Sequence, residues 1–177
     1  MTMKSQSVMQ HPLLMFARNG IIGINEHQRS KVLYLRNCWY IAATLDEIGN
    51  APIGRTFLDE PVVLFRDGDG KIAALEDRCC HRQLPLSMGR VVGGRLQCGY
   101  HGLEFDRSGA CVKVPGQNRV PPGAAVRRYP LQERHDWLWI WMGDAAAADP
   151  ALIPDVYWRD DPGWEVWGAH WNVACAY

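Results

Sequence analysis

The sequence predicts an all-β fold, and three observations carry that expectation. Strand-length runs of aliphatic and aromatic residues recur along the chain, Gly- and Pro-containing turns separate them, and no segment sustains a 3.6-residue apolar period long enough for an amphipathic helix. Two turn signals are explicit. Asp67-Gly68-Asp69-Gly70 and Gly93-Gly94 each stand between two such runs and offer the residues that accept positive φ in a hairpin.

Residues 1–31 mix Gln, Ser, Asn, Gly and Arg with scattered apolar residues and show no period, so they are expected to form a poorly ordered N-terminal extension. Patterned sequence begins at residue 32. The stretch 32–42 is rich in aromatic and aliphatic residues and expected to be extended in part; Thr44-Leu45-Asp46-Glu47 has the form of a capping box and predicts one helical turn. Strands are then expected at 55–58, 61–66, 71–76, 90–92, 95–98, 103–106, 110–114, 126–130 and 137–142. Near Gly143 the composition shifts. Residues 144–155 read as a linker with a helical turn in it, and the Trp-rich run 164–177 resumes a strand pattern. A main domain over 32–144 and a following piece over 145–177 are the expected division.

The chain has 177 residues, with 19 Lys plus Arg against 19 Asp plus Glu. A chain of this length can bury a real core without disulfides. Net charge zero gives no long-range field to draw in nucleic acid or an anionic membrane, so neither is an expected partner. No apolar run approaches the roughly 18 residues of a membrane span, and the apolar stretch 12–17 is too short for a secretory signal. A cytoplasmic location is the resulting expectation. There, the six cysteines are thiols or metal ligands rather than a disulfide framework.

One constellation dominates the chemistry: Cys79-x-His81, sixteen residues, then Cys98-x-x-His101. Each segment offers one thiolate and one imidazole. A tetrahedral zinc ion would accept these donors, but zinc knuckles more often pair Cys with Cys and His with His. The alternating order suits a two-iron cluster with Cys79 and Cys98 on one iron and His81 and His101 on the other. Two thiolates and two neutral imidazoles around an oxidised [2Fe–2S] core sum to zero charge, against −2 for four thiolates, so an electron is accepted more readily. The imidazoles retain a second nitrogen that can couple the redox state to pH.

These residues and their surroundings resemble the Rieske domain of bacterial ring-hydroxylating and O-demethylating oxygenases, nearest the vanillate and dicamba O-demethylase group. The resemblance rests on residues 76–89, residues 96–106 and Pro115-Gly116-Gln117, with supporting matches at 37–42 and 139–144, and runs from about residue 32 to the end. It implies the Rieske [2Fe-2S] fold of short antiparallel sheets, with the domain over 32–144 and a cluster-binding subdomain of two loops. Cys79, His81, Cys98 and His101 are its implied ligands; Arg82, Gly99, Tyr100 and Gly102 are candidates to support them. Cys80 stands where the family usually has Pro. Respiratory members carry a disulfide and two hydroxyls near the cluster; here Leu84 and Tyr100 replace the cysteines, and Leu103 and Phe105 the hydroxyls, which places the expected potential at the low end, on the order of −150 mV.

The resemblance further implies electrons received singly from a flavin and iron–sulfur reductase and delivered to a mononuclear Fe(II) in a catalytic domain or adjacent oxygenase subunit, where O₂ hydroxylates or demethylates an aromatic compound. The two-His, one-carboxylate motif for that iron is not in this sequence, since His11, His27, His135 and His170 form no such cluster. Electron transfer without substrate turnover is therefore expected of the chain, with 145–177 read as a linker and first strand of that further domain. Two other functions stay open at this point: a freestanding Rieske-type electron carrier and a zinc-stabilised interaction module. The remaining chemistry-bearing residues have plainer expectations. Cys38, Cys111 and Cys175 are small apolar residues, the Trp-rich strands are core, Asp67 belongs to a hairpin rather than a calcium loop, and His135 sits on a surface turn.

Overall fold

The structure, a computed structural model, describes residues 34–165 and Trp167. Eleven strands are present among them: β1 (Cys38–Thr44), β2 (Ile53–Phe57), β3 (Glu60–Arg66), β4 (Ile72–Glu76), β5 (Arg90–Val92), β6 (Arg95–Gln97), β7 (Glu104–Phe105), β8 (Cys111–Lys113), β9 (Arg128–Tyr129), β10 (Leu131–Arg134) and β11 (Trp137–Met142). Every pairing is antiparallel, and the helical elements among the described residues are single 3₁₀ turns. The all-β expectation holds. The strands form three sheets, in the orders β1-β11-β10, β2-β3-β4-β9 and β5-β6-β7-β8.

The second sheet contributes to two cores because side chains alternate across a strand. From β3 and β4, Val63, Phe65, Ala73 and Leu75 enter a core with Leu86, Leu96, Leu103 and Phe105. Their neighbours Val62, Leu64 and Ala74 enter a second core with Ala42, Leu138, Ile140 and Met142. Both faces being buried explains why residues 62–65 are apolar without alternation. Each fully buried Val, Leu or Phe contributes about 1.5–3 kcal/mol.

Strand β11 alternates in the same way, with Leu138, Ile140 and Met142 facing the core and the tryptophans on the other side. Trp141 packs edge-on against Trp39 of β1 at 5.3 Å. Their indole N–H groups donate to the carbonyls of Asp144 and Asp149 at 2.7 and 2.8 Å, which ties residues 144–149 to the sheet. That segment runs through 3₁₀ turns at Ala145–Ala147 and Pro150–Leu152, each capped by the preceding aspartate. Ile153 and Val156 beyond it are buried.

The capping box at Thr44 is formed: the Glu47 carboxylate accepts from the Thr44 backbone N–H at 2.7 Å and a 3₁₀ turn follows at Leu45–Glu47. In the hairpin after β3, Asp67 accepts from the backbone N–H groups of Asp69 and Lys71, both at 2.9 Å, so this carboxylate closes the turn. Strand β10 was not expected. It is polar apart from Leu131, and its turn to β11 is His135-Asp136, two non-glycine residues at φ 57° and 60°. The extension 1–31 and, within 164–177, everything but Trp164, Glu165 and Trp167 lie outside the described residues, as do His11, His27, His170 and Cys175.

Candidate functional site

The two Cys/His segments fold into loops with the same backbone plan. In residues 79–84 the Cys79 N–H donates to the Leu84 carbonyl at 2.9 Å, and the Gln83 N–H donates back to the Cys79 carbonyl at 2.8 Å. In residues 98–103 the Cys98 N–H donates to the Leu103 carbonyl at 2.8 Å, and the Gly102 N–H to the Cys98 carbonyl at 3.1 Å. Both loops turn on a fifth residue at positive φ, Gln83 at 57° and Gly102 at 75°. Glycine adopts that conformation without strain; glutamine does not. The loops differ in where the imidazole falls, third in one and fourth in the other.

Leu103 is buried in the first core and Leu84 packs against it, so the far end of each loop is anchored. The first loop has an additional clamp. Asp77, buried two residues before Cys79, accepts from the Ser87 backbone N–H at 2.6 Å and from its hydroxyl at 2.5 Å. In the second loop Gly99 lies close to β5's approach: a Cβ there would stand 3.0 Å from the Met88 carbonyl oxygen.

This plan sorts the four donors into two pairs. Cys79 and Cys98 are each 3% exposed and belong to the first core. Burial pushes the Cys79 thiol up to about 11; the His81 backbone N–H works against the rise and the neighbouring Cys98 adds to it. A thiol raised in this way ionises readily only beside a cation. The imidazoles of His81 and His101 are exposed, with ring centroids 4.7 Å apart and planes at 59°. Tyr100 lies over His101 at 3.8 Å and is itself 59% exposed.

A third loop completes the site. A crevice of about 550 Å³ is lined by Cys80, His81, His101, Gln117, Pro121 and Pro122, among others, so the proline-rich segment after β8 stands beside the imidazoles. Cys80 is exposed there and lies outside the buried thiol pair. The donors suit a binuclear group. A buried thiol pair with an exposed imidazole pair matches the two ends of a [2Fe–2S] unit with mixed ligands.

The other expectations divide. Gly99, Tyr100 and Gly102 have the contacts or backbone conformations just described; Arg82 is exposed and makes no hydrogen bond or ion pair among the described residues. Cys111 is buried and Cys38 half-buried, their thiols directed at the Lys113 and Arg36 carbonyls, and both are free. His135 does occupy a turn, but its side chain is 8% exposed rather than on the surface. Its Nδ1 meets Asp160 at 2.5 Å, and its backbone carbonyl accepts from Arg159 at 2.6 Å, because residues 157–160 fold back over the hairpin. Sequence reasoning missed the Asp77–Ser87 clamp and the strained Gln83. An isolated Asp ten residues from a Ser carries no local signal.

The sequence pattern of the Rieske [2Fe-2S] domain matches residues 38–130. The chain is 49% identical over 145 residues to the oxygenase component of dicamba O-demethylase from Stenotrophomonas maltophilia, covering 81% of this chain and 43% of that protein. It is 50% identical over 135 residues to an iron-sulfur subunit of the toluene-4-sulfonate monooxygenase system of Comamonas testosteroni, covering 76% and 39%. Among solved structures, apo dicamba monooxygenase superposes with a TM-score of 0.70 at 52% identity, covering 73% of this chain and 40% of that one. The chain thus spans about 40% of the length of the relatives it matches.

Proposed function

This chain belongs to the Rieske [2Fe-2S] domain family, and from that premise we propose that Cys79 and Cys98 hold one iron of the cluster and His81 and His101 the other. The observation that carries this assignment is the matched pair of loops, which buries both thiols and exposes both imidazoles. The cluster, when bound, supplies one-electron redox chemistry at a neutral oxidised site. The residues do the rest. Core packing excludes water from the thiolates, the loop hydrogen bonds fix their spacing, and the ring nitrogen of His81 or His101 not committed to iron can hold or release a proton in solvent. Tyr100 covers one face of His101 and fixes its ring plane, while Gly99 and Gly102 admit the tight second loop; Arg82 has charge to offer near His81 but no contact. Leu103 and Phe105 place no hydroxyl near the thiols, which supports a midpoint potential on the order of −150 mV.

The relatives are oxygenase components of multicomponent systems. We take the function of this chain to be one-electron transfer as the Rieske part of an aromatic-ring hydroxylating or O-demethylating oxygenase subunit. Its donor is then a flavin and iron–sulfur reductase, and its acceptor a mononuclear iron in a catalytic domain or a neighbouring subunit. The division into 32–144 and 145–177 and a cytoplasmic setting belong to the same proposal; no helix among the described residues is long and apolar enough to cross a membrane. Metal analysis and EPR of the anaerobically purified chain test the cluster. Two irons and two sulfides per chain, with a reduced-state EPR signal coupled to two nitrogens, are expected. One zinc per chain and no EPR signal after reduction would overturn the assignment.

A further inference from the structure

Two charged side chains are buried among the described residues, Asp77 and Glu104, and each stands at the neck of one Cys/His loop. Asp77 precedes Cys79 by two residues and clamps the first loop through Ser87. Glu104 directly follows Leu103, whose carbonyl accepts from the Cys98 N–H and closes the second loop. A buried carboxylate is costly unless it is hydrogen-bonded and paired. The Asp77 carboxylate meets the neutral donors of Ser87, whereas the Glu104 carboxylate meets cations.

Those cations arrive through the register of the third sheet. Arg90 of β5 faces Gln97 of β6, Gln97 faces Glu104 of β7, and Glu104 faces Lys113 of β8. The side chains join in the same order: Arg90 Nε donates to Gln97 Oε1 at 2.8 Å, Gln97 Nε2 to Glu104 Oε1 at 3.3 Å, and Lys113 Nζ to Glu104 Oε1 at 2.7 Å. Arg95 reaches the other carboxylate oxygen at 3.6 Å. The opposite face of these strands, with Leu96, Phe105 and Cys111, belongs to the first core. Between Phe105↔Cys111 and Glu104↔Lys113 the register slips by one residue, and this bulge brings Lys113 to the carboxylate while Cys111 stays in the core. The ladder thus crosses the strand that leads into Cys98 and the strand that leads out of Leu103, and the Gln97–Glu104 bond ties them at the neck of the loop. The hydrogen bond from Lys113 outweighs burial and holds the Glu104 carboxyl below its ordinary 4.5, so the group is an anion at neutral pH.

We propose that Glu104 is a positioning residue for the second loop, and that the balance between its charge and that of Lys113 sets how readily the cluster accepts its electron. The inference rests on the cluster assignment above and adds the residues that tune it. Gaining an electron adds negative charge at the ligand loops. The buried Glu104 anion opposes that charge, and Lys113 and Arg95 offset the opposition from the solvent side, their side chains being 57% and 50% exposed. Gln97 is neutral and contributes position without charge.

The test uses the full chain loaded with cluster and reads the midpoint potential by EPR while an electrode supplies one electron per cluster through mediators, with no bond made or broken. Glu104→Gln is expected to favour the reduced cluster at least about 3-fold in the one-electron equilibrium, and Lys113→Met to disfavour it at least about 3-fold. The double variant returns to within about 2-fold of the wild type, and Lys113→Arg, which keeps the charge, matches it. Glu104→Gln also loses iron to a chelator at least about 3-fold faster, because a neutral amide holds Lys113 less firmly. Shifts of one sign in both single variants, or no shift, overturn the tuning, since loosening the loop does not change sign with the charge removed. An unchanged chelation rate in Glu104→Gln overturns the positioning role. If that variant retains no iron, Lys113→Met against Lys113→Arg decides, and equal potentials overturn the proposal. A normal cluster signal in the wild type with any of these results overturns this inference alone; no cluster signal there overturns it together with the cluster assignment.

Discussion

The strands that carry the second core and the loops that carry the site are built by different means. Sheet β1-β11-β10 and one face of the second sheet enclose Val62, Leu64, Ala74, Leu138, Ile140 and Met142, all fully buried and all apolar, on strands of five to seven residues apart from β9 and β10. That region is complete in its own side chains. The loop end rests on strands of two or three residues, and two positions of its core are the thiols of Cys79 and Cys98. Thiols are small and leave little apolar area to bury. On the cluster assignment proposed above, the scaffold folds on hydrophobic packing alone, whereas the loop end gains part of its stability from the group its thiols would hold.

The largest expected effect breaks the site and spares the scaffold. Cys98→Ser should lower bound iron from about two per chain toward none, while the far-ultraviolet circular dichroism of the strands persists; loss of the whole sheet signal would show that the two regions are not separable. The converse change is Leu64→Ala. It should cost about 3 kcal/mol in urea unfolding, the usual range for a fully buried leucine, with iron content unchanged below the transition.

Asp77 joins the two regions, since it leaves β4 and clamps the first loop through Ser87. Asp77→Ala should cost about 2 kcal/mol, because the Ser87 donors lose their acceptor. Faster loss of iron to a chelator than in the wild type checks that the cost falls on the loop. The smallest effect belongs to Glu60 in β3. Burial would raise its carboxyl, but the hydrogen bonds from Arg36 and Tyr129, with Arg127 nearby, hold it below the ordinary 4.5. A depressed carboxylate stabilises the fold above its unfolded value and ceases to do so as pH falls through the folded value. Glu60→Gln should therefore cost about 1 kcal/mol near pH 7 and nothing once the wild-type carboxyl is protonated, which urea titrations at the two pH values would show.

Most of this was legible where the physics is local. The spacing of Cys79, His81, Cys98 and His101 marked the two loops that the structure builds to one plan, and Gly and Asp at 67–70 and 93–94 marked two hairpins that the structure contains. Strand β10 escaped because a polar edge strand and a glycine-free turn give neither signal, and the turn is held instead by Arg159 and Asp160, 24 and 25 residues away. His135 was placed on the surface for the same reason.

Hydrogen exchange read by mass spectrometry on the cluster-loaded and chelator-stripped chain tests the central contrast most directly. Stripping is expected to abolish protection in residues 77–125, at the loops and β5 to β8, while β1, β3 and β11 exchange as slowly as before. Equal loss of protection in both regions, or no loss at the loops, would contradict it.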